Sequence, residues 1–151
     1  MKRIVAIIGP SSPDPGARSR ASVAGRLVAE AGFVLATGGM GGCMAAASRG
    51  AKSGGGTVLA ILPGRDPGRT TQHVDMVLAT GFGYLRNMLL VNISTGIVCV
   101  GMSPGTLTEA SWALREAKPI FGFMPPWPGL EMQFSEDPEA LANFLRELKG
   151  R

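Results

Sequence analysis

Glu109 is the acidic residue most suited to chemistry in this sequence. It follows the segment GMSPGTLT, which comes after an apolar run that ends at Val100. The order of a buried strand, a glycine-containing turn and a helix is typical of a ligand site in an α/β protein. Thr106-Leu107-Thr108-Glu109 also fits a capping box, in which threonine and glutamate bond backbone donors at a helix start. Glu109 is therefore either a functional carboxylate or a helix cap.

Arg86 is the second candidate, and Asn87 lies beside it. Arg86 is the charged member of an otherwise apolar helix start, GYLRNMLL. An arginine in this setting either reaches into a site or lays its stem along apolar surface with its head in water. Arg86 is therefore a candidate site residue alongside Glu109.

Three turns that follow apolar runs supply the candidate phosphate ligands. They begin at Gly9, Thr37 and Gly101, and each combines glycine with serine or threonine. Glycine lets a backbone approach a ligand closely, and hydroxyl groups can bond phosphate oxygens, although tight packing also selects glycine. None of the three turns matches the dinucleotide fingerprint or the P-loop. With the neighbouring helix residues, the candidate ligand-binding set is Gly9, Ser11, Ser12, Thr37, Gly38, Gly39, Gly41, Gly42, Met44, Asn87, Ser103, Gly105 and Thr106.

Elements of alternating type must position these turns. Apolar runs without polar alternation indicate strands that are buried on both faces, and helical segments separate them. The strands are predicted at residues 3–8, 33–36, 57–62, 96–100 and 119–123. The helices are predicted at residues 19–31, 42–53, 84–94 and 106–117, with a last helix that Asp137 caps before Pro138. This order predicts an α/β fold, a mostly parallel doubly wound sheet with helices on both faces.

Composition limits the classes of protein to consider. The chain has 151 residues, 45% of them hydrophobic, and a formal net charge of +4. This length suits one domain over residues 1–151, and no apolar run is long enough to span a membrane. Scattered basic residues and few aromatic ones argue against dedicated nucleic-acid binding. Cys43, Cys99 and the single His73 form no metal-ligand set, so we expect no metal, two reduced buried thiols and a cytoplasmic protein.

Three segments together resemble a known group of proteins. Residues 37–64, TGGMGGCMAAASRGAKSGGGTVLAILPG, residues 80–101 and residues 105–123 are similar to the Rossmann-like proteins of the SLOG superfamily. The superfamily includes the LONELY GUY phosphoribohydrolases, often mislabelled lysine decarboxylases, and the molybdenum-cofactor carrier proteins. The resemblance extends from about residue 3 to residue 123 and implies a nucleotide-phosphate or pterin-phosphate site across the three turns.

The resemblance also implies roles for the two charged residues. In the phosphoribohydrolases an arginine and the glutamate of a Pro-Gly-Gly-x-Gly-Thr-x-x-Glu motif act on the glycosidic bond, and by position these are Arg86 and Glu109. This chain departs from the motif, because Gly101-Met102-Ser103-Pro104-Gly105 replaces its glycine-rich start. The departure removes a possible N–H donor and favours binding over hydrolysis.

Two functional hypotheses follow from these observations. The first is a binding or carrier protein for a phosphate-bearing small molecule, a nucleotide or a molybdopterin-type cofactor. The alternative is an enzyme, a phosphoribohydrolase that cleaves nucleoside 5′-monophosphates to free base and ribose 5-phosphate. Lysine decarboxylation does not fit, since no lysine is placed to hold pyridoxal phosphate. The resemblance to the SLOG superfamily implies a homodimer, and the apolar helix at residues 84–94 also predicts one.

Overall fold

A seven-stranded sheet forms the centre of the protein, and the computed structural model describes all residues from Met1 to Arg151. The strands are β1 (Ile4–Ile8), β2 (Val34–Thr37), β3 (Val58–Leu62), β4 (Met76–Ala79), β5 (Gly96–Cys99), β6 (Ile120–Gly122) and β7 (Gln133–Phe134). The helices are α1 (Pro15–Glu30), α2 (Cys43–Ser53), α3 (Arg86–Ile93), α4 (Pro104–Arg115) and α5 (Pro138–Gly150). Short 3₁₀ turns lie at Pro67–Arg69 and Gly83–Leu85.

The strand order is β4-β3-β2-β1-β5-β6-β7, and every neighbouring pair is parallel. The chain adds strands on one side of β1 up to β4, and α3 then carries it back to place β5 on the other side. The loops after β1 and β5 therefore diverge, which opens a crevice at the carboxyl ends of these strands. The predicted Rossmann-like α/β fold is confirmed, and the sheet is parallel throughout.

Helices cover both faces of the sheet, because successive side chains of a strand point to opposite sides. Val5 and Ile7 of β1 belong to a buried cluster with residues of α1, α2 and α5. Ala6 and Ile8 belong to a second cluster with residues of α3 and α4. The sheet is thus the middle layer of three, and its ends are free to build a site.

The sheet contains two strands more than the five predicted. β4 is an edge strand whose Met76, Val77 and Leu78 are all exposed. β7 has only two residues, and its Phe134 packs on Gly122 of β6. Both strands were missed because neither is a buried β-branched run.

The first helix begins four residues earlier than predicted. Asp14 is its N-cap and accepts a hydrogen bond of 2.7 Å from the backbone N–H of Ala17, and Pro15 takes the first helical position. The same Asp-Pro signal begins α5, where Asp137 accepts from the Glu139 N–H as predicted. No helix in the protein is long and apolar enough to cross a membrane.

Candidate functional site

A cavity of about 330 Å³ opens where the strand order reverses. The ends of β1 and β2, the starts of α2 and α4, and the first turns of α3 form its walls. Its lining residues are Ile7, Ile8, Gly9, Ser11, Gly38, Met44, Tyr84, Arg86, Asn87, Leu90, Ser103, Pro104, Gly105, Thr106 and Glu109. The volume lies at the low end of the range for small-molecule sites.

Ten of the fifteen predicted site residues line this cavity, and they include both Arg86 and Glu109. The five that do not line it are Ser12, Thr37, Gly39, Gly41 and Gly42. All three predicted turns reach the cavity, so the structure brings most of the predicted site residues together.

Most of the five excluded residues shape the turn between β2 and α2. The buried Thr37 hydroxyl accepts a hydrogen bond from the Gly39 N–H at 3.1 Å, and the Gly39 carbonyl accepts one from the Thr71 N–H at 2.8 Å. Gly42 has a φ of 64°, and a Cβ atom there would overlap the Ser11 carbonyl. Gly39 has a φ of 70°, and a Cβ atom there would overlap Ala60, whereas Gly41 has open space around it. The turn therefore requires glycine at positions 39 and 42 and not at position 41.

Arg86 is held mainly by the backbone of that turn and of β3. One terminal nitrogen donates to the Gly38 carbonyl at 2.5 Å and to the Ile61 carbonyl at 2.7 Å, and Nε donates to Asn87 Oδ1 at 2.8 Å. Burial lowers the pKa of the guanidinium, and the nearby Glu109 opposes that shift. Arg86 thus fixes the turn while its second terminal nitrogen, Nη2, makes no hydrogen bond within the protein.

Glu109 is not a helix cap, so the capping-box alternative for Thr106 to Glu109 is excluded. Ser103 is the N-cap of α4, its hydroxyl accepts from the Thr106 N–H at 3.3 Å, and Pro104 is the first helical residue. Glu109 therefore lies in the second turn, beyond reach of the free N–H groups. Because it is three residues after Thr106 and four after Gly105, its side chain shares their cavity-facing side of the helix.

The carboxyl of Glu109 is isolated within the cavity wall. The residue is 8% exposed, forms no hydrogen bond and makes no direct ion pair with Arg86. Burial raises its pKa to about 7, and the positive charge of Arg86 partly opposes this rise. Glu109 therefore changes protonation close to neutral pH, and its net effect on a ligand depends on pH.

The two helix starts at the cavity differ in their free donors. No side chain caps α2, and the N–H groups of Met44 and Ala45 have no acceptor within the protein. In α4 the Ser103 hydroxyl occupies the Thr106 N–H and Pro104 has no N–H, so the Gly105 N–H is the one free donor of its first three residues. The start of α2 is consequently the stronger anion-binding end of the cavity.

Sequence analysis missed five lining residues. Ile7, Ile8 and Leu90 give the cavity an apolar portion, and Pro104 belongs to its α4 wall. Tyr84 is 92% exposed and lies at the mouth of the cavity. The sequence signal that could have identified Tyr84 is its position two residues before Arg86, in a turn that begins with Gly83.

A model of the SLOG cluster4 family matches residues 2–146. The chain belongs to the SLOG cluster4 family. This confirms the superfamily that the three sequence segments suggested. The SLOG cluster4 chain is also 38% identical over 140 residues to a protein of Archaeoglobus fulgidus, an alignment that covers 93% of this chain and 92% of the relative.

Two solved structures resemble this SLOG cluster4 protein over nearly its whole length. The molybdenum cofactor binding protein of Rippkaea orientalis superposes with a TM-score of 0.92 at 29% identity, covering 99% of this chain and 98% of that one. The molybdenum cofactor carrier protein of Chlamydomonas reinhardtii gives a TM-score of 0.88 at 29% identity, with all of both chains covered.

Proposed function

We propose that this SLOG cluster4 protein binds a phosphate-bearing small molecule, a nucleotide or a molybdopterin-type cofactor, and carries it without chemical conversion. The observation behind the proposal is the uncapped start of α2, whose free N–H groups belong to Met44, which lines the cavity, and to the next residue, Ala45. Such a helix start attracts an anionic group through both its donors and its dipole. Ser11 adds a hydroxyl at the same end.

The structural relatives support the carrier role. Both of those described above bind or carry the molybdenum cofactor, and each matches the chain from end to end. The phosphate of the ligand would lie toward α2 and Ser11, while its ring would lie toward α3 and α4. Ile8 and Leu90 would pack against the ring, since they supply apolar lining.

The alternative function is the phosphoribohydrolase. It is favoured by one observation, that Arg86 and Glu109 line the same cavity. Two others weigh against it: Arg86 is bonded to backbone carbonyls, and Ser103 and Pro104 leave the start of α4 poor in donors. We therefore assign binding, not hydrolysis, to the pair.

A matched pair of serine variants tests the binding site. Ser11 lines the cavity, whereas Ser12, its neighbour, does not. With ribose 5-phosphate and guanosine 5′-monophosphate as calorimetric probes, Ser11→Ala should weaken binding about threefold to tenfold, because one hydrogen bond is lost. Ser12→Ala should bind as the parent does. Equal affinities in all three proteins, or no binding by the parent, would contradict the proposed site.

The same samples separate carrier from enzyme. After incubation of the parent with nucleoside 5′-monophosphates, chromatography should recover the nucleotide intact, and native mass spectrometry should show it bound. Steady release of free base, lost in Arg86→Ala and Glu109→Gln, would replace the carrier function with phosphoribohydrolase activity.

We also propose that the protein acts as a homodimer in the cytoplasm. Large apolar side chains are exposed beside the cavity mouth, with Phe82 60%, Tyr84 92%, Leu85 70% and Leu107 38% exposed. A second copy would cover this surface, which is larger than scattered single exposures require. The two cysteines are free and buried, which suits a reducing compartment.

A further inference from the structure

Three polar groups in the cavity have no partner within the protein. The three groups are the Glu109 carboxyl with its two oxygens, the Nη2 atom of Arg86 and the amide nitrogen of Asn87. None of these atoms makes a hydrogen bond, whereas Nε and Nη1 of Arg86 and Oδ1 of Asn87 do. No fully buried side-chain nitrogen or oxygen in the structure lacks a partner. Each of these atoms therefore remains in contact with the open space of the cavity, where a ligand can reach it.

These groups make the two ends of the cavity chemically different. The free donors of Met44, Ala45 and Arg86 lie at or near the α2 end. Glu109 on α4 contributes the only carboxylate among the lining residues. A phosphate placed beside Glu109 would meet a like charge in a largely buried setting, so the anionic part of a ligand belongs at the α2 end.

We propose that Glu109 binds the ring of the ligand and selects rings that present adjacent N–H donors, as the 2-amino-4-oxopyrimidine edge of guanine and of pterins does. A carboxylate has two oxygens and accepts two parallel hydrogen bonds from such an edge. An adenine ring presents a ring nitrogen acceptor at the matching position and cannot make both bonds. This inference rests on the proposed function, since it assumes that a phosphate-bearing ligand occupies the cavity.

The selection depends on the ionised form of Glu109. The charged or titratable groups around Glu109 are Arg86 from α3, which favours the carboxylate, and Cys99 from β5. Burial raises the pKa of the Cys99 thiol to about 12, so it stays neutral. The remaining polar side chains of the cavity wall are hydroxyls and the Asn87 amide. Ring selection should accordingly strengthen from pH 6 to pH 8, as Glu109 loses its proton.

Four probes that share a phosphate test this inference at pH 8. Guanosine 5′-monophosphate offers both donors, inosine 5′-monophosphate offers one, adenosine 5′-monophosphate offers a ring acceptor instead, and ribose 5-phosphate has no ring. Calorimetry should give affinities for the parent in the order guanosine, inosine, adenosine, with about tenfold or more between the first and the last. The ratio should fall at pH 6, and titration of the shared phosphate cancels in that ratio.

Two variants identify Glu109 as the group responsible. Glu109→Gln should reduce the guanosine-to-adenosine ratio to about twofold or less, because the amide nitrogen replaces one acceptor. It should not weaken ribose 5-phosphate binding, because it removes a negative charge from the cavity. Glu116→Gln is the matched control, since Glu116 is an exposed carboxylate at the end of the same helix. It should retain the parent order of affinities.

The outcomes separate this inference from the function on which it rests. If the parent binds ribose 5-phosphate but does not discriminate between the guanosine and adenosine nucleotides, or if Glu109→Gln keeps the parent's discrimination, ring selection by Glu109 is overturned and the phosphate site stands. If no probe binds to the parent, both the proposed function and this inference fail.

Discussion

At the scale of single residues, Glu109 weakens the fold that contains it. Burial raises its pKa from the usual 4.5 to about 7, so the folded protein holds this proton more tightly than the unfolded chain does. The free energy of unfolding must then decrease as pH rises from about 4.5 to about 7, and the full penalty remains above pH 7. A difference of this size corresponds to roughly 3 kcal/mol. Such a penalty at a cavity wall is typical of a functional carboxyl.

Glu109→Gln should therefore stabilise the protein at pH 8. Glutamine resembles the protonated acid in shape and carries no charge to desolvate, so we expect the free energy of unfolding to increase by about 1–3 kcal/mol. At pH 5, where the folded protein already holds the proton, the gain should be much smaller. Urea denaturation at the two pH values measures both quantities. A gain at pH 5 equal to that at pH 8 would show that the charge of Glu109 is not the cause.

At the scale of elements, two helix starts show that a capping side chain followed by proline marks where a helix begins. Asp14-Pro15 and Ser103-Pro104 begin α1 and α4, and each pairs a capping side chain with proline at the first helical position. The same pattern at Asp137-Pro138 predicted α5 correctly. In α4 the capping box at Thr106 competed with the true start, and only the structure shows that Ser103 accepts the Thr106 N–H.

The sequence does not predict β4 and β7, and the reason is different. β4 is exposed along its length, and β7 comprises two residues, so neither has the continuous apolar pattern that burial on both faces imposes. Pairing with β3 and β6 makes them strands. Pairing of this kind is a tertiary effect that local sequence does not contain.

Helices α1 and α2 pack against each other through glycine. A Cβ atom at Gly25 would overlap the Ala47 carbonyl, and one at Gly50 would overlap the Ser22 carbonyl. In a helix exposed to solvent, replacing glycine by alanine stabilises by about 1 kcal/mol. At Gly25 and Gly50 the same replacement should destabilise the protein, because the two helix backbones must separate to admit a methyl group.

We expect Gly50→Ala to lower the free energy of unfolding by about 2 kcal/mol or more. Gly150→Ala is the control, since Gly150 ends α5 with open space around it. That substitution should leave the stability unchanged or slightly increased. Denaturant unfolding of both variants decides the matter, and a Gly50→Ala protein as stable as the parent would contradict the close packing of the two backbones.

At the scale of the whole molecule, the apolar surface at the cavity mouth is where we propose that two copies of the chain meet. Phe82, Tyr84 and Leu85 lie at the start of α3, and Leu107 lies on α4 across a groove that Met88 also lines. Only Asn87, Leu90 and Val91 of α3 are buried, while Met88 is half-buried and Ile93 is exposed. This arrangement supports the proposed homodimer.

Leu85→Asp should convert the protein to monomers at micromolar concentration, since it places a charge in the proposed interface. Trp127→Asp is the control, because Trp127 is 42% exposed in the connection between β6 and β7 and has no place in that surface. Light scattering should give a dimer mass for the parent and for the control. A parent that is monomeric, or a Leu85→Asp protein that remains dimeric, would exclude this interface.

The location of the cavity could be predicted from the sequence, but the hydrogen bonds that shape its walls could not. Glycine and hydroxyl residues after predicted strands located the cavity, because parallel strands end at one edge of the sheet. The sequence could not show that Arg86 bonds the Gly38 and Ile61 carbonyls, or that Thr37 and Gly39 lie behind the cavity wall. These contacts join distant parts of the chain and depend on how the elements pack.

Hydrogen bonds within the protein fix the turn between β2 and α2. Arg86 donates to the Gly38 carbonyl, the Thr71 N–H donates to the Gly39 carbonyl, and the Cys43 N–H donates to the Pro10 carbonyl at 3.1 Å. For the proposed ligand we expect this fixed wall to have a kinetic consequence. Association should require no rearrangement of the turn and should be governed by diffusional encounter and orientation, so that differences in affinity between ligands lie in their residence times. A carrier with such a site would release its ligand only as fast as the ligand dissociates, and faster transfer would require the receiving protein to contact the part of the cavity rim that the proposed dimer leaves open, near Ser11 and Gly105.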